Sequence, residues 1–148
     1  MNALRRILII EDNPNDEALL MRQLAKAGLE EHVHVIHDGG TALDYLTNGH
    51  FKCEDLAAVF LDLKLPILGG LAILEAIRSD RRLECLEVIV MTSSNSPEDL
   101  EKCRTLGVSC FVQKPLTFSS FANAFANMFH ARRSDPGAET RAVSLVHE

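Results

Sequence analysis

Apolar positions along this chain alternate between short unbroken runs and stretches in which they recur three or four residues apart. The runs Arg6 to Ile10, Val33 to Ile36, Leu56 to Asp62, Leu86 to Met91 and Ser109 to Gln113 read as strands. Helical patterns lie between them. The first begins at Asn13-Pro14, a good cap followed by a proline suited to the first helical position, carries Leu20, Met21, Leu24 and Ala25, and stops at Gly28. The second opens at Gly39-Gly40 and runs through Ala42, Leu43 and Leu46; the third follows Gly69-Gly70 with Leu71, Leu74 and Ile77. Ser96-Pro97-Glu98-Asp99 starts a fourth, ended by Gly107, and Phe118, Phe121, Phe125 and Phe129 mark one side of a fifth. The segment Arg132 to Gly137 breaks the pattern, so the expected organisation is one domain over residues 1–130 and a flexible tail over 131–148.

Strands this apolar must be buried on both faces, and their strict alternation with helices implies a parallel sheet with right-handed crossovers. The expected fold is therefore α/β: a doubly wound, flavodoxin-like five-stranded parallel sheet in the order 2-1-3-4-5. That order sets the ends of the first and third strands side by side at the switch point, the edge where such sheets bind ligands.

A formal charge of −6 argues against direct nucleic-acid binding, which rests on Lys and Arg neutralising phosphates. The N-terminal stretch has neither a signal-peptide core nor an apolar run of roughly 20 residues, so a cytoplasmic protein off the membrane is expected. Cys53, Cys85, Cys103 and Cys110 form no CxxC pair, and in that compartment the expectation is four reduced, partly buried thiols. His32, His34 and His37 have no further ligand cluster nearby and read as packed or solvated side chains.

The chemistry collects at the carboxyl ends of the strands. Glu11-Asp12 ends the first, Asp62 ends the third before Leu63-Lys64-Leu65-Pro66, Thr92 ends the fourth and Lys114-Pro115 follows the fifth. Two carboxylates about 4 Å apart repel by about 4 kcal/mol at an effective dielectric near 20, so the crevice calls for a cation. Mg²⁺ suits it, since it prefers a few carboxylates together with water and phosphate oxygens. Acids, a cation site, a hydroxyl and an ammonium on one edge are the groups that phosphoryl transfer to an aspartate requires. Neither GxGxxG nor GxxxxGK[ST] is present, which leaves no sequence support for a dinucleotide or P-loop site.

Glu11-Asp12, Phe60-Leu61-Asp62-Leu63-Lys64-Leu65-Pro66, Gly70, Thr92 and Lys114-Pro115 together resemble the receiver domain of two-component response regulators, over about residues 5 to 130. The spacing agrees as well, with Gly70 eight residues after the acceptor and Phe111 three before the lysine. The resemblance implies that Asp62 is the phosphoacceptor and that Mg²⁺ is held by Glu11, Asp12, Asp62 and the backbone carbonyl of Lys64. It implies that Thr92 and Phe111 are the switch pair, that Lys114 clamps the phosphate and that the Lys114–Pro115 peptide is cis. A histidine kinase would donate the phosphoryl group, and a downstream protein would read the change on the face built by the fourth helix, fifth strand and fifth helix. That face is also a candidate homodimer contact. Three features depart from the commonest pattern: Glu11 in place of Asp, Phe111 in place of Tyr, and a long interval from Asp12 to Asp62.

Asn13-Pro14-Asn15-Asp16, the long segment before the third strand and Met91 to Ser94 are most similar to stand-alone regulators paired with phytochrome-type histidine kinases, and no output domain is expected within 148 residues. Two other classes remain open. An aspartyl-intermediate phosphatase needs a general acid two residues after its nucleophile, where this chain has Lys64. A pseudo-receiver would bind its partner independently of phosphorylation.

Overall fold

The computed structural model describes residues 6–48, 52–93, 96–108, 110–115, 117 and 119–124. Five strands, β1 (Arg6–Ile10), β2 (Val33–Ile36), β3 (Leu56–Asp62), β4 (Val88–Thr92) and β5 (Cys110–Gln113), form one sheet in the order β2-β1-β3-β4-β5. All four pairings are parallel, as the alternation predicts. The helices are α1 (Pro14–Lys26), α2 (Gly39–Thr47), α3 (Gly70–Ser79) and α4 (Pro97–Thr105), and residues 119–124 are helical as α5. Two 3-10 turns, Glu30–His32 and Cys53–Asp55, lead into β2 and β3.

Successive side chains of a strand point to opposite faces, so each run feeds two cores. Leu8, Ile10, Val59, Leu61, Val88 and Val90 face Ala42, Leu46, Ile73, Leu74 and Ile77 of α2 and α3. Ile7, Ile9, Ala58, Phe60, Ile89 and Met91 face Leu20 and Leu24 of α1 and Phe121 of α5. The Phe60 and Phe121 rings lie 6.3 Å apart and nearly parallel, which makes Phe121 a core residue. Phe118, Phe125, Phe129 and the 131–148 tail fall outside the described residues.

The helix starts follow local chemistry. Asn13 Oδ1 accepts from the backbone N–H groups of Asn15 and Asp16, Asp38 caps α2 through Thr41, and Ser96 caps α4 through Asp99. Gly28 and Gly107, with φ of 75° and 81°, occupy the left-handed region just past α1 and α4. The Lys114–Pro115 peptide is cis.

Three expectations need correction. Ala25 is exposed, and Gln23 takes its place on the buried side of α1. The fourth strand begins at Val88; Leu86 is buried in the preceding loop, where its carbonyl accepts from Arg78. Cys53 and Cys85 are joined in a disulfide, because the turn entering β3 and the loop entering β4 bring their Cα atoms to 6.5 Å across a separation of 32 residues. No spacing rule detects a pair held in two neighbouring loops of a sheet edge. Cys103 and Cys110 are buried thiols outside any disulfide. No described helix is long and apolar enough to cross a membrane.

Candidate functional site at the carboxyl edge

Because β1 and β3 are neighbours with Ile10 opposite Leu61, the residues that follow them emerge together. Carboxylate oxygens of Glu11, Asp12 and Asp62 all lie within 4.8 Å of one another. Glu11 and Asp62 are buried and Asp12 is exposed, so the cluster opens toward solvent on the Asp12 side.

Lys114, brought in after β5, meets this cluster with its ammonium 2.7 Å from Glu11 Oε1, 2.8 Å from Asp16 Oδ2 and 3.0 Å from Asp62 Oδ2. The contacts to Asp16 and Asp62 are hydrogen bonds, whereas Glu11 Oε1 is close to the ammonium without hydrogen-bond geometry. That oxygen is buried with the ammonium as its near neighbour, and together with Asp12 and Asp62 it gives an all-oxygen donor set of the kind a hard cation prefers. Burial pushes the Glu11 carboxyl up to about 7; its contact with Asp62 adds to the rise, and Lys114 opposes it. For Lys114 burial acts downward, but Asp16, Glu11 and Asp62 outweigh it and raise the ammonium above its ordinary value.

The other oxygen of Asp62, Oδ1, accepts from the Lys64 N–H at 3.1 Å, so one oxygen is held by the loop and the other by Lys114. The β3–α3 loop must turn tightly to make this possible. A Cβ on Gly70 would come within 2.7 Å of the Leu63 Cα and still closer to the Asp62 carbonyl oxygen, which is the physical reason a glycine sits eight residues past the aspartate. Ile67, in the same loop, has φ of 66° and is fully exposed.

Thr92 is buried at the end of β4, one residue beyond Met91, the partner of Asp62 in the β3–β4 register. Its carbonyl accepts from the Lys114 N–H at 2.9 Å. Phe111 stands apart from the acids, half-buried on the α2–α4 face of the sheet, with the Arg104 guanidinium of α4 5.6 Å from its ring centre. The structure thus brings Glu11, Asp12, Asp62 and Lys114 together, sets Thr92 on the same edge and directs Phe111 to another face.

Asp16 was absent from the expected set. Its clue was positional: it is the third residue of α1, a helix that starts from the same edge as the acids. In a capping box that carboxylate would return to the cap N–H. Here Glu11 Oε2 takes the Asn13 N–H at 3.2 Å, and the Asp16 carboxylate reaches Lys114 instead.

The chain is similar to the probable methanogenesis regulatory protein FilR2 of Methanothrix harundinacea (strain 6Ac), with 35% identity over 113 residues, covering 76% of this chain and 73% of that protein. It spans less than half the length of other curated relatives that it matches. Among solved structures it is similar to the bacteriophytochrome response regulator RtBRR, with 36% identity and a TM-score of 0.75 over 85% of this chain and 78% of that one. The bacteriophytochrome response regulator AtBRR is 39% identical, with a TM-score of 0.73 over 86% and 94%. The model of the response regulator receiver domain matches residues 7–126, and with the 2-1-3-4-5 sheet and the acid cluster at its carboxyl edge this chain belongs to the response regulator receiver domain family.

Proposed function

We propose that Asp62 accepts a phosphoryl group from a histidine kinase and that the modified domain signals through the α4–β5–α5 face. The observation that carries this reading is the convergence of Asp62 with Glu11 and Asp12, with the Lys114 ammonium 3.0 Å from Asp62 Oδ2. Membership of the receiver family supports a histidine kinase as donor, and the similarity to bacteriophytochrome regulators favours one of the phytochrome type.

In the proposed step an Asp62 carboxylate oxygen attacks the phosphorus of a phosphohistidine. The new P–O bond forms as the P–N bond breaks, and the imidazole leaves with the electron pair and takes up a proton. Glu11, Asp12, Asp62 and the Lys64 carbonyl would hold Mg²⁺, which supplies positive charge to the phosphoryl oxygens when bound; the all-oxygen donor set fits such an ion. Lys114 adds a fixed positive charge to the phosphoryl oxygens, and Thr92 supplies a hydroxyl. Two unlike acid roles are not available here, since the position two residues after Asp62 is Lys64; the domain therefore accepts and holds the group and does not turn over phosphomonoesters.

Residues 1–130 would form this receiver and 131–148 a flexible tail. The proposed setting is the cytoplasm, with a downstream protein as reader, no direct contact with nucleic acid and homodimerisation through the α4–β5–α5 face. Incubation with radiolabelled acetyl phosphate or a phosphorylated kinase and Mg²⁺ tests the core of the proposal: label should appear on the protein and disappear in Asp62→Asn. Label that persists in that variant rules Asp62 out as the acceptor.

A further inference from the structure

We infer that Asp16 is a positioning residue for this phosphoryl transfer, anchoring the Lys114 ammonium to the first turn of α1 so that it faces the group arriving on Asp62; the inference rests on the phosphoacceptor reading of Asp62. An ammonium has three N–H donors on a flexible four-carbon stem, so its direction depends on what holds it. Lys114 directs hydrogen bonds to Asp16 at 2.8 Å and to Asp62 at 3.0 Å and lies 2.7 Å from Glu11. These partners are not equivalent. Glu11 and Asp62 belong to the acid cluster that also includes Asp12, and a divalent cation there competes with Lys114 for both. A phosphoryl group on Asp62 then turns that carboxylate into an acyl phosphate. Asp16 lies outside the cluster and keeps its claim on the ammonium throughout.

The anchor point is itself well held. The Asp16 N–H and the Asn15 N–H both donate to Asn13 Oδ1, which fixes the first turn of α1 above the carboxyl edge. Because Glu11 Oε2 occupies the Asn13 N–H, the Asp16 carboxylate is not drawn back to cap the helix. Its side chain is 22% exposed while that of Lys114 is 10% exposed, so the bond lies at the rim, where it survives changes at the centre. Asp16 thereby sets where a positive charge meets the phosphoryl oxygens without binding the metal or the phosphorus itself.

The test uses the full chain with acetyl phosphate, whose P–O bond breaks as Asp62 attacks and acetate leaves with the electron pair. Labelling rates are measured across acetyl phosphate concentrations at saturating Mg²⁺ for the unsubstituted protein, Asp16→Asn and Asp16→Glu. Calorimetry gives Mg²⁺ affinity separately, and NMR follows the Lys114 side-chain nitrogen in metal-free protein. Asp16→Asn should lower the limiting rate about tenfold, as expected for a misplaced catalytic charge, while lowering Mg²⁺ affinity far less and shifting the Lys114 signal toward that of a solvated lysine. Asp16→Glu should recover most of the rate. An unchanged rate in Asp16→Asn, an equal loss of Mg²⁺ affinity, or no recovery in Asp16→Glu overturns the inference while leaving Asp62 as acceptor. Absence of label on the unsubstituted protein overturns the phosphoacceptor reading and the inference with it.

Discussion

The Lys114 ammonium lies 3.0 Å from Oδ2 of Asp62 across 52 positions of sequence, and the same nitrogen also faces Glu11 and Asp16. One cation therefore faces three acids. Replacing it by a neutral residue leaves carboxylates buried without a counter-charge; the full cost of such a loss is lowered by solvent access at Asp16 and by proton uptake at Glu11. Lys114→Met should destabilise the metal-free protein by about 2 kcal/mol in urea denaturation, with part of the loss restored by Mg²⁺. It should also slow labelling of Asp62 by about a hundredfold, since no fixed charge then meets the phosphoryl oxygens.

Glu11 supplies a pH dependence with a definite sign. Its carboxyl is raised from 4.5 to about 7 in the folded chain, mainly by burial, so the folded state binds this proton more tightly than the unfolded state does. Stability from the neutral form is fully present below pH 4.5 and is lost as pH rises through 7. Glu11→Gln keeps the shape and removes the titration. In EDTA the variant should gain on the parent as pH rises across this window, by about 3 kcal/mol at the upper end, a figure taken from the shift at 1.36 kcal/mol per unit. Urea denaturation at several pH values checks it, and a difference that stays flat with pH contradicts the assignment.

The acids were legible in the sequence because each interrupts an apolar run, and a parallel sheet in the 2-1-3-4-5 order leaves them no place but one shared edge. Lys114 was legible for the same reason, as the cation that follows the last strand. What stayed hidden involved long side chains and loops. Asp16 looks like any acid in a first helical turn until Glu11 is seen to occupy the cap N–H. Leu86 fits a strand by composition, but its carbonyl is bound by a side chain from α3. Cys53 and Cys85 lie in separate loops, and only the β3–β4 adjacency brings them together. None of these contacts leaves a periodic trace.

Arg78 is the side chain that ties those loops down. Its guanidinium donates to the carbonyls of Leu106 at 2.7 Å, Leu86 at 2.9 Å and Glu84 at 3.1 Å, joining the end of α3 to the segment before β4 and the end of α4. Burial lowers its affinity for a proton, with Glu87 opposing, but it remains an arginine and carries its charge. Methionine matches much of the stem and offers no donors, so Arg78→Met strands two half-buried carbonyls. The expected cost is about 3 kcal/mol in chemical denaturation, with Asp62 labelling preserved because the site lies at the opposite end of the sheet.

If Asp62 is the acceptor as proposed, Phe111 is the candidate link from it to α4, and it can be broken without touching the acids. It pairs with Val90 on β4 while Gln113 pairs with Thr92, so in the proposed relay a movement at Thr92 would reach the aromatic ring along adjoining strands. Arg104 rests 5.6 Å from the ring centre, close enough for a cation–π contact that couples the ring to α4. With Mg²⁺ and beryllofluoride as phosphoryl mimic, amide resonances of α4 should shift in the unsubstituted protein. Phe111→Ala should still be labelled on Asp62, since it removes no group from the site, but the α4 shifts should shrink, for a coupling loss of about 1 kcal/mol. Because the contact is made by the ring, Arg104→Ala should weaken the same shifts and add little to Phe111→Ala in the double variant. Full α4 shifts in Phe111→Ala would show that the signal leaves Asp62 by another path.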